Sequence, residues 1–276
     1  MMKPTCAVPA VTVARFLPAM VLALAWMSCF AAGEACEARS PATRVAVLEL
    51  YTSEGCNSCP PADRWISGLS AGGLTPDRVI PMAFHVDYWD QLGWPDRMAK
   101  AQFSERQRMQ ARRNRANVVY TPQLLLNGAD YRSLSSDARL RDRLQELNRL
   151  PPGADLSLRQ RPEASGVGVN LDVRLIRPAA GAPVHAFIAI TENRLHTAIQ
   201  GGENQGKLLH HDFVVREFVG PLPIDTAGQV HWKSLMAVHA DWKWPDLALV
   251  AFVQDEHSGE ILQALRAPLC MTMQPP

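Results

Sequence analysis

The chain has 276 residues, 47% apolar and 20% charged, with 28 basic side chains against 27 acidic ones. That length carries sizeable cores and suits two domains. So even a charge balance excludes the concentrated basic face that a nucleic-acid backbone demands. No repeat or low-complexity segment interrupts the chain.

Lys3 and Arg15 precede a charge-free apolar stretch over residues 16–30, followed by the small residues Ala31, Ala32, Gly33 and Ala35. The pattern predicts a secretory signal peptide over residues 1–32, because a run of fifteen residues is short for a membrane span. An uncleaved anchor is one alternative. A lipoprotein start at Cys29 is another, disfavoured because Trp26 stands where a small aliphatic residue belongs. Cleavage discards Cys6 and Cys29 and leaves Cys36, Cys56, Cys59 and Cys270 in an oxidising compartment, periplasmic or extracellular, with no membrane partner. Without Lys3 and Arg15 the mature chain stays close to neutral.

Residues 33–42 read as an N-terminal extension and residues 43–152 as an α/β domain. An almost unbroken apolar run over residues 44–52 predicts a strand buried on both faces. It ends in a turn containing Gly55, which delivers Cys56 and Cys59 to the start of a helix. Cysteines at that spacing can close a small disulfide, and the positive end of a helix favours thiolate over thiol. The same spacing also makes half of a zinc site, but no second Cys-x-x-Cys or paired histidine element is placed to complete it. Pro60, Pro61 and Asp63 mark the first turn of the helix, and Gly72-Gly73 ends it.

A second strand over residues 79–86 leads into Asp87, Tyr88, Trp89 and Asp90. A helix over residues 96–114 follows, carrying Arg106, Arg108, Arg112 and Arg113, read as a solvated face in preference to an anion site. Residues 119–126 contain Thr121-Pro122 and read as a strand, Asn127-Gly128 predicts a two-residue hairpin turn into a short strand over residues 129–132, and a helix over residues 136–150 stops at Pro151-Pro152-Gly153. The order βαβαββα predicts a mixed sheet with helices on both faces.

The order of elements, the Cys56-x-x-Cys59 pair after the first strand and Thr121-Pro122 before the hairpin resemble the thioredoxin fold. More narrowly, the runs 48–56, 59–63 and 85–90, Gly93-Trp94, 120–123, Gly202-Glu203-Asn204 and 210–216 resemble an exported thioredoxin-like family catalogued as domain of unknown function 1223. The resemblance spans nearly the whole mature chain and implies that Pro122 is cis and lies against the cysteines. Gly55 stands where thioredoxins carry a tryptophan, and Asn57-Ser58 replaces Gly-Pro, so potential and substrate do not transfer.

Residues 153–276 break into short strand-like runs parted by Gly, Pro, Asn and Asp, which predicts a β-sandwich domain of six to eight strands. Adjacent His210 and His211 on a strand point to opposite faces, so no shared metal is expected.

The expected function is thiol–disulfide exchange on protein or small-molecule thiols and disulfides, with no cofactor and no metal. The more exposed Cys56 attacks and Cys59 resolves the mixed disulfide. By resemblance, Thr121 and Pro122 shape the wall for a partner backbone, and Glu49 corresponds to the buried acid that thioredoxins place beneath their cysteines. A carboxyl inside an apolar strand keeps its proton unless it is paired, so Glu49 is expected to be the proton acceptor for the pair, or else to cap a backbone group or pair with an arginine. Asp87, Trp89 and Asp90 emerge at the sheet edge where α/β folds bind ligands, or they cap and pack around the next helix. Cys36 and Cys270 remain as a structural disulfide joining the two ends of the mature chain. The alternatives are a copper carrier using the same cysteines and a non-catalytic binding module.

Overall fold

The computed structural model describes residues 36–133, 137–176 and 183–270; the signal-peptide reading of residues 1–32 falls outside them. A short strand β1 (Cys36–Arg39) precedes β2 (Ala46–Thr52), α1 (Pro60–Gly68), β3 (Val79–His85), a 3₁₀ turn (Asp87–Leu92), α2 (Ala101–Arg113), β4 (Gln123–Leu126), β5 (Ala129–Asp130) and α3 (Asp137–Arg149). The rest is β: β6 (Ala154–Glu163), β7 (Gly166–Leu175), β8 (Val184–Glu192), β9 (Leu195–Ala198), β10 (Leu208–His211), β11 (Val214–Pro223), β12 (Gln229–Ala237), β13 (Leu247–Asp255) and β14 (Ile261–Pro268).

These strands make an eight-stranded sheet in the order β14-β13-β8-β11-β3-β2-β4-β5, a four-stranded sheet β1-β6-β7-β12 and a β9–β10 ribbon. This corrects the expected fold class. A thioredoxin-like α/β domain with its own mixed sheet and helices on both faces, followed by a separate sandwich domain, does not form; the described chain is mostly β, and its main sheet draws strands from both sides of residue 152. The junction is a single parallel register pair, Val214 with Ala83, between β11 and β3. Pairing over so long a stretch of chain leaves no local signal, so each half looked self-sufficient when read by itself.

Local chemistry still explains the elements. β2 and β3 are buried along their whole length, which is why neither alternates. Pro81 sits inside β3, where its missing N–H points the same way as Ala83 N–H, which donates to Phe213 O at 2.8 Å. β11 pairs with β3 only at Ala83, so Pro81 interrupts no ladder. β6 and β7 alternate buried and open positions; their inner residues Leu156, Leu158, Val169 and Leu171 pack on Ile188, Ile190, Leu249 and Ala251. The other side of β8 and β13 joins β2, β3 and α2 in a cluster of Phe187, Phe252, Val47, Tyr51, Phe84 and Phe103. Ala46, Leu48 and Leu50 pack on Ala62 and Ile66 of α1 and on Leu140 and Leu144 of α3.

Candidate functional site at the cysteine turn

β2 runs out at Thr52, and the chain turns through Ser53, Glu54 and Gly55 into Cys56. The Cys56 N–H donates to Ser53 O at 3.2 Å and the Cys59 N–H to Cys56 O at 3.3 Å. Cys59 is the N-cap of α1, and its carbonyl accepts from Ala62 and Asp63 at 2.8 and 3.2 Å. Pro60 and Pro61 occupy the first helical positions, where a missing N–H leaves nothing unpaired. Cys56 and Cys59 are joined in a disulfide with Cα atoms 5.4 Å apart, and the Ser58 hydroxyl lies 3.3 Å from Cys56 Sγ. The expectation of an exposed Cys56 is corrected, because both cysteines are 0% accessible. Gly55 fits because a Cβ there would stand 3.2 Å from Trp89 Cβ.

Around the turn lies a buried charged cluster that sequence reasoning missed. His211 Nε2 lies 3.4 Å from Glu54 Oε1 and His211 Nδ1 3.8 Å from Asp63 Oδ1, ion-pair distances longer than good hydrogen bonds. Asp63 also accepts from the Thr52 hydroxyl at 3.1 Å, and Glu54 Oε2 from Trp94 Nε1 at 2.8 Å. His85 packs edge-on to His211 with centroids 5.0 Å apart and joins Asp96 through Nδ1 at 2.6 Å. Burial alone would push His211 toward neutrality; the carboxylates of Asp63 and Glu54 outweigh it and hold its pKa up at about 10. Burial would raise Glu54, and its contact with the His211 imidazolium, aided by Thr197 and Trp94, brings it below its ordinary value. A polar residue at the end of fully buried β3 signalled His85. His211 stands out in the sequence only as the neighbour of His210, on a strand where no shared metal is expected, and nothing near it marks its carboxylate partners.

Loop 199–207 completes the site. The Asn204 side-chain amide donates to Glu54 O at 2.8 Å and Cys56 O at 2.9 Å, and Glu203 Oε2 accepts from the Asn57 N–H at 3.0 Å.

Trp89 meets the cysteine turn at Gly55 and donates through Nε1 to the Thr121 hydroxyl at 2.8 Å. The Thr121–Pro122 peptide is cis. Asp87 and Asp90 face the scaffold instead: Asp87 accepts from the Ser104 hydroxyl, and Asp90 accepts from the Asp96 N–H at 3.1 Å. Both side chains are thus tied to the segments that follow, the packing role given as the alternative, and neither caps α2, whose N-cap is Lys100. Glu49 is corrected as well. It is buried, but Arg106 grips both its oxygens at 2.8 and 2.9 Å and the Tyr51 hydroxyl donates to one at 2.7 Å. Both oxygens of Glu49 are thereby taken up in the pair with Arg106, the arginine partnership given above as an alternative. Arg106 itself departs from the expected solvated face, being 2% accessible, whereas Arg108 and Arg112 stay open.

Cys36 and Cys270 form the second disulfide, Cα atoms 6.1 Å apart. Among the described residues, no group of three or more His, Cys, Asp or Glu is arranged to hold a metal ion, and no helix is long and apolar enough to cross a membrane.

A family model described as "Protein of unknown function (DUF1223)" matches residues 47–254. No curated protein matches the chain. Two solved structures share its fold. A crystal structure of protein AGR_C_4864 from Agrobacterium tumefaciens is 24% identical with a TM-score of 0.60, over 84% of this chain and 98% of that one. HBP35 of Porphyromonas gingivalis is 14% identical with a TM-score of 0.66, over 86% of this chain and 79% of that one.

Proposed function

We propose that this chain, which belongs to the DUF1223 family, is an exported thiol–disulfide oxidoreductase that works through Cys56 and Cys59 in the periplasm or outside the cell. The observation that carries the reading is a three-residue-spaced disulfide at the N-terminus of α1, with Cys59 as the helix cap. The helix end favours negative charge on sulfur. The Ser58 hydroxyl at 3.3 Å can donate to a thiolate on Cys56, which supports Cys56 as the attacking sulfur.

In the reducing direction, the Cys56 thiolate attacks one sulfur of a partner disulfide. A Cys56–partner bond forms, the partner bond breaks, and the electron pair leaves on the partner's second sulfur, which takes up a proton. Cys59, losing its proton, then attacks Cys56; the intramolecular disulfide closes and the first partner sulfur departs as thiolate. The partner is reduced by two electrons and the Cys56/Cys59 pair oxidised by two. Run backwards, the same steps oxidise a partner dithiol. Protein and small-molecule disulfides are both partners by this chemistry. The two disulfides and the lack of a spanning helix among the described residues are compatible with export.

The test is turnover of a model disulfide with dithiol reductant by the mature chain. Cys56→Ser should abolish turnover and Cys59→Ser should accumulate mixed disulfides. Wild-type protein that shows no exchange, or Cys59→Ser protein that traps nothing, overturns the reading.

A further inference from the structure

Thiol–disulfide exchange needs a thiolate to reach a sulfur, yet both cysteines are fully enclosed. The segment tied to them is loop 199–207, the link of the β9–β10 ribbon, which hydrogen-bonds to no other sheet. Its residues take the backbone groups flanking Cys56: Asn204 occupies Glu54 O and Cys56 O, and Glu203 occupies the Asn57 N–H. Lys207 Nζ donates to Asn204 Oδ1 at 2.8 Å, which turns the amide NH₂ toward the two carbonyls. The loop also beds against the Gly93 turn, where a Cβ on Gly201 would stand 2.5 Å from Gly93 O. Asn204 is 0% accessible while Glu203 and Gly206 are exposed, and Gly206 carries φ +81°. Within the loop Ile199 and Asn204 are buried, and it is Asn204 that reaches the cysteine turn by hydrogen bonds.

We propose that loop 199–207 is a latch over the Cys56–Cys59 disulfide, with Asn204 as its catch and Glu203 as a second tie, and that these residues set access to the sulfurs. The inference rests on the thiol–disulfide reading for its purpose, but it is measured without turnover. An external dithiol reduces the bond by attacking one sulfur; a mixed disulfide forms, the Cys56–Cys59 bond breaks, and the freed sulfur takes a proton. The reductant's second thiol, losing its proton, then attacks the mixed disulfide, so that the reductant's ring closes and the remaining cysteine sulfur leaves and takes a proton.

The experiment follows native-state reduction of the oxidised mature chain by dithiothreitol, quenched by alkylation, with peptide mapping separating Cys56 and Cys59 from Cys36 and Cys270. Asn204→Ala and Glu203→Ala should each speed reduction by about tenfold, the effect of losing one or two net hydrogen bonds that hold the closed state. Glu203→Gln keeps an oxygen for the Asn57 N–H and should return the rate toward wild type. Glu203 is exposed, so Glu203→Ala decides the matter should Asn204→Ala fail to fold. Rates within about twofold of wild type in folded variants, or a wild-type disulfide reduced as fast as one in a short peptide, would overturn the latch. A chain that never turns over partner disulfides but shows this rate pattern would keep the latch and lose the enzyme.

Discussion

His211 Nε2 lies 3.4 Å from Glu54 Oε1, with both side chains sealed from solvent. With the pKa of His211 held up at about 10, against an ordinary 6.5, its contribution to stability is complete below the ordinary value and is lost as pH rises through about 10. Removing one member of a buried ion pair costs about 3–5 kcal/mol. Urea unfolding should therefore find His211→Gln less stable by roughly that amount just below neutral pH. The gap should narrow toward pH 10, where the wild type itself loses the charge. Wild-type and variant curves that stay parallel over this range would remove His211 from the cluster's energetics.

Arg106 and Glu49 give a second prediction. The Arg106 guanidinium sits 5.1 to 5.6 Å from the ring centres of Phe84, Phe187, Phe218 and Phe252, cation–π contacts that offset only part of the cost of burying its charge. Glu49→Leu and Arg106→Met should each cost about 3–5 kcal/mol, whereas the two together should recover most of the loss by filling the space with apolar atoms. A double-mutant cycle by urea unfolding checks this. A double variant whose loss equals the sum of the singles would mean that packing, not pairing, holds the two together.

What the sequence made legible was local. The unbroken apolar run of β2, the prolines opening α1 and the Asn127-Gly128 turn each act within a few residues, and the elements formed where expected. Glu49 was legible as a buried acid because it interrupts an apolar run, but its partner lies 57 residues on and left no mark near it. Arg106 resembled its exposed neighbours because helical spacing gives a face, not what covers that face. β9 and β10, Leu-His-Thr-Ala and Leu-Leu-His-His, carry no strict apolar–polar alternation, so the ribbon they form left only the His210-His211 strand reading in the sequence. The union of β11 with β3 depends on register between distant segments, which composition does not carry.

Asp96 should govern the acid limb of stability. Burial would raise its pKa, but His85 at 2.6 Å and the N–H groups of Glu54 and Met98, each at 2.9 Å, outweigh that and hold it at about 2 against an ordinary 3.8. A depressed carboxyl contributes fully above its ordinary value, and the contribution is lost as pH falls through about 2. Asp96→Asn should lower stability near neutral pH by about 1.5–3 kcal/mol, the scale of a hydrogen bond to a charged group. It should also flatten the decline between pH 4 and pH 2 seen by circular dichroism; an unchanged acid transition would refute the assignment.

The Cys36–Cys270 bond spans 234 residues and ties β1 to the segment after β14. β1 is a four-residue edge strand paired only with β6, from Cys36 against Gln160 to Arg39 against Ser157. So short an edge holds few contacts of its own, and the bond's main effect falls on the unfolded chain, which it closes into a loop of nearly the whole described length. The chain-entropy model puts that closure at on the order of 5 kcal/mol, an upper figure because strain and residual structure reduce it. Cys36→Ala with Cys270→Ala should thus lower the unfolding free energy by about 2–5 kcal/mol. The loss should arise in the unfolded state, so hydrogen exchange in β6, β7 and β12 of the folded variant should keep its wild-type order of protection while the global limit falls. A loss below about 1 kcal/mol, or protection that vanishes first along β6, would place the bond's work in the native edge instead.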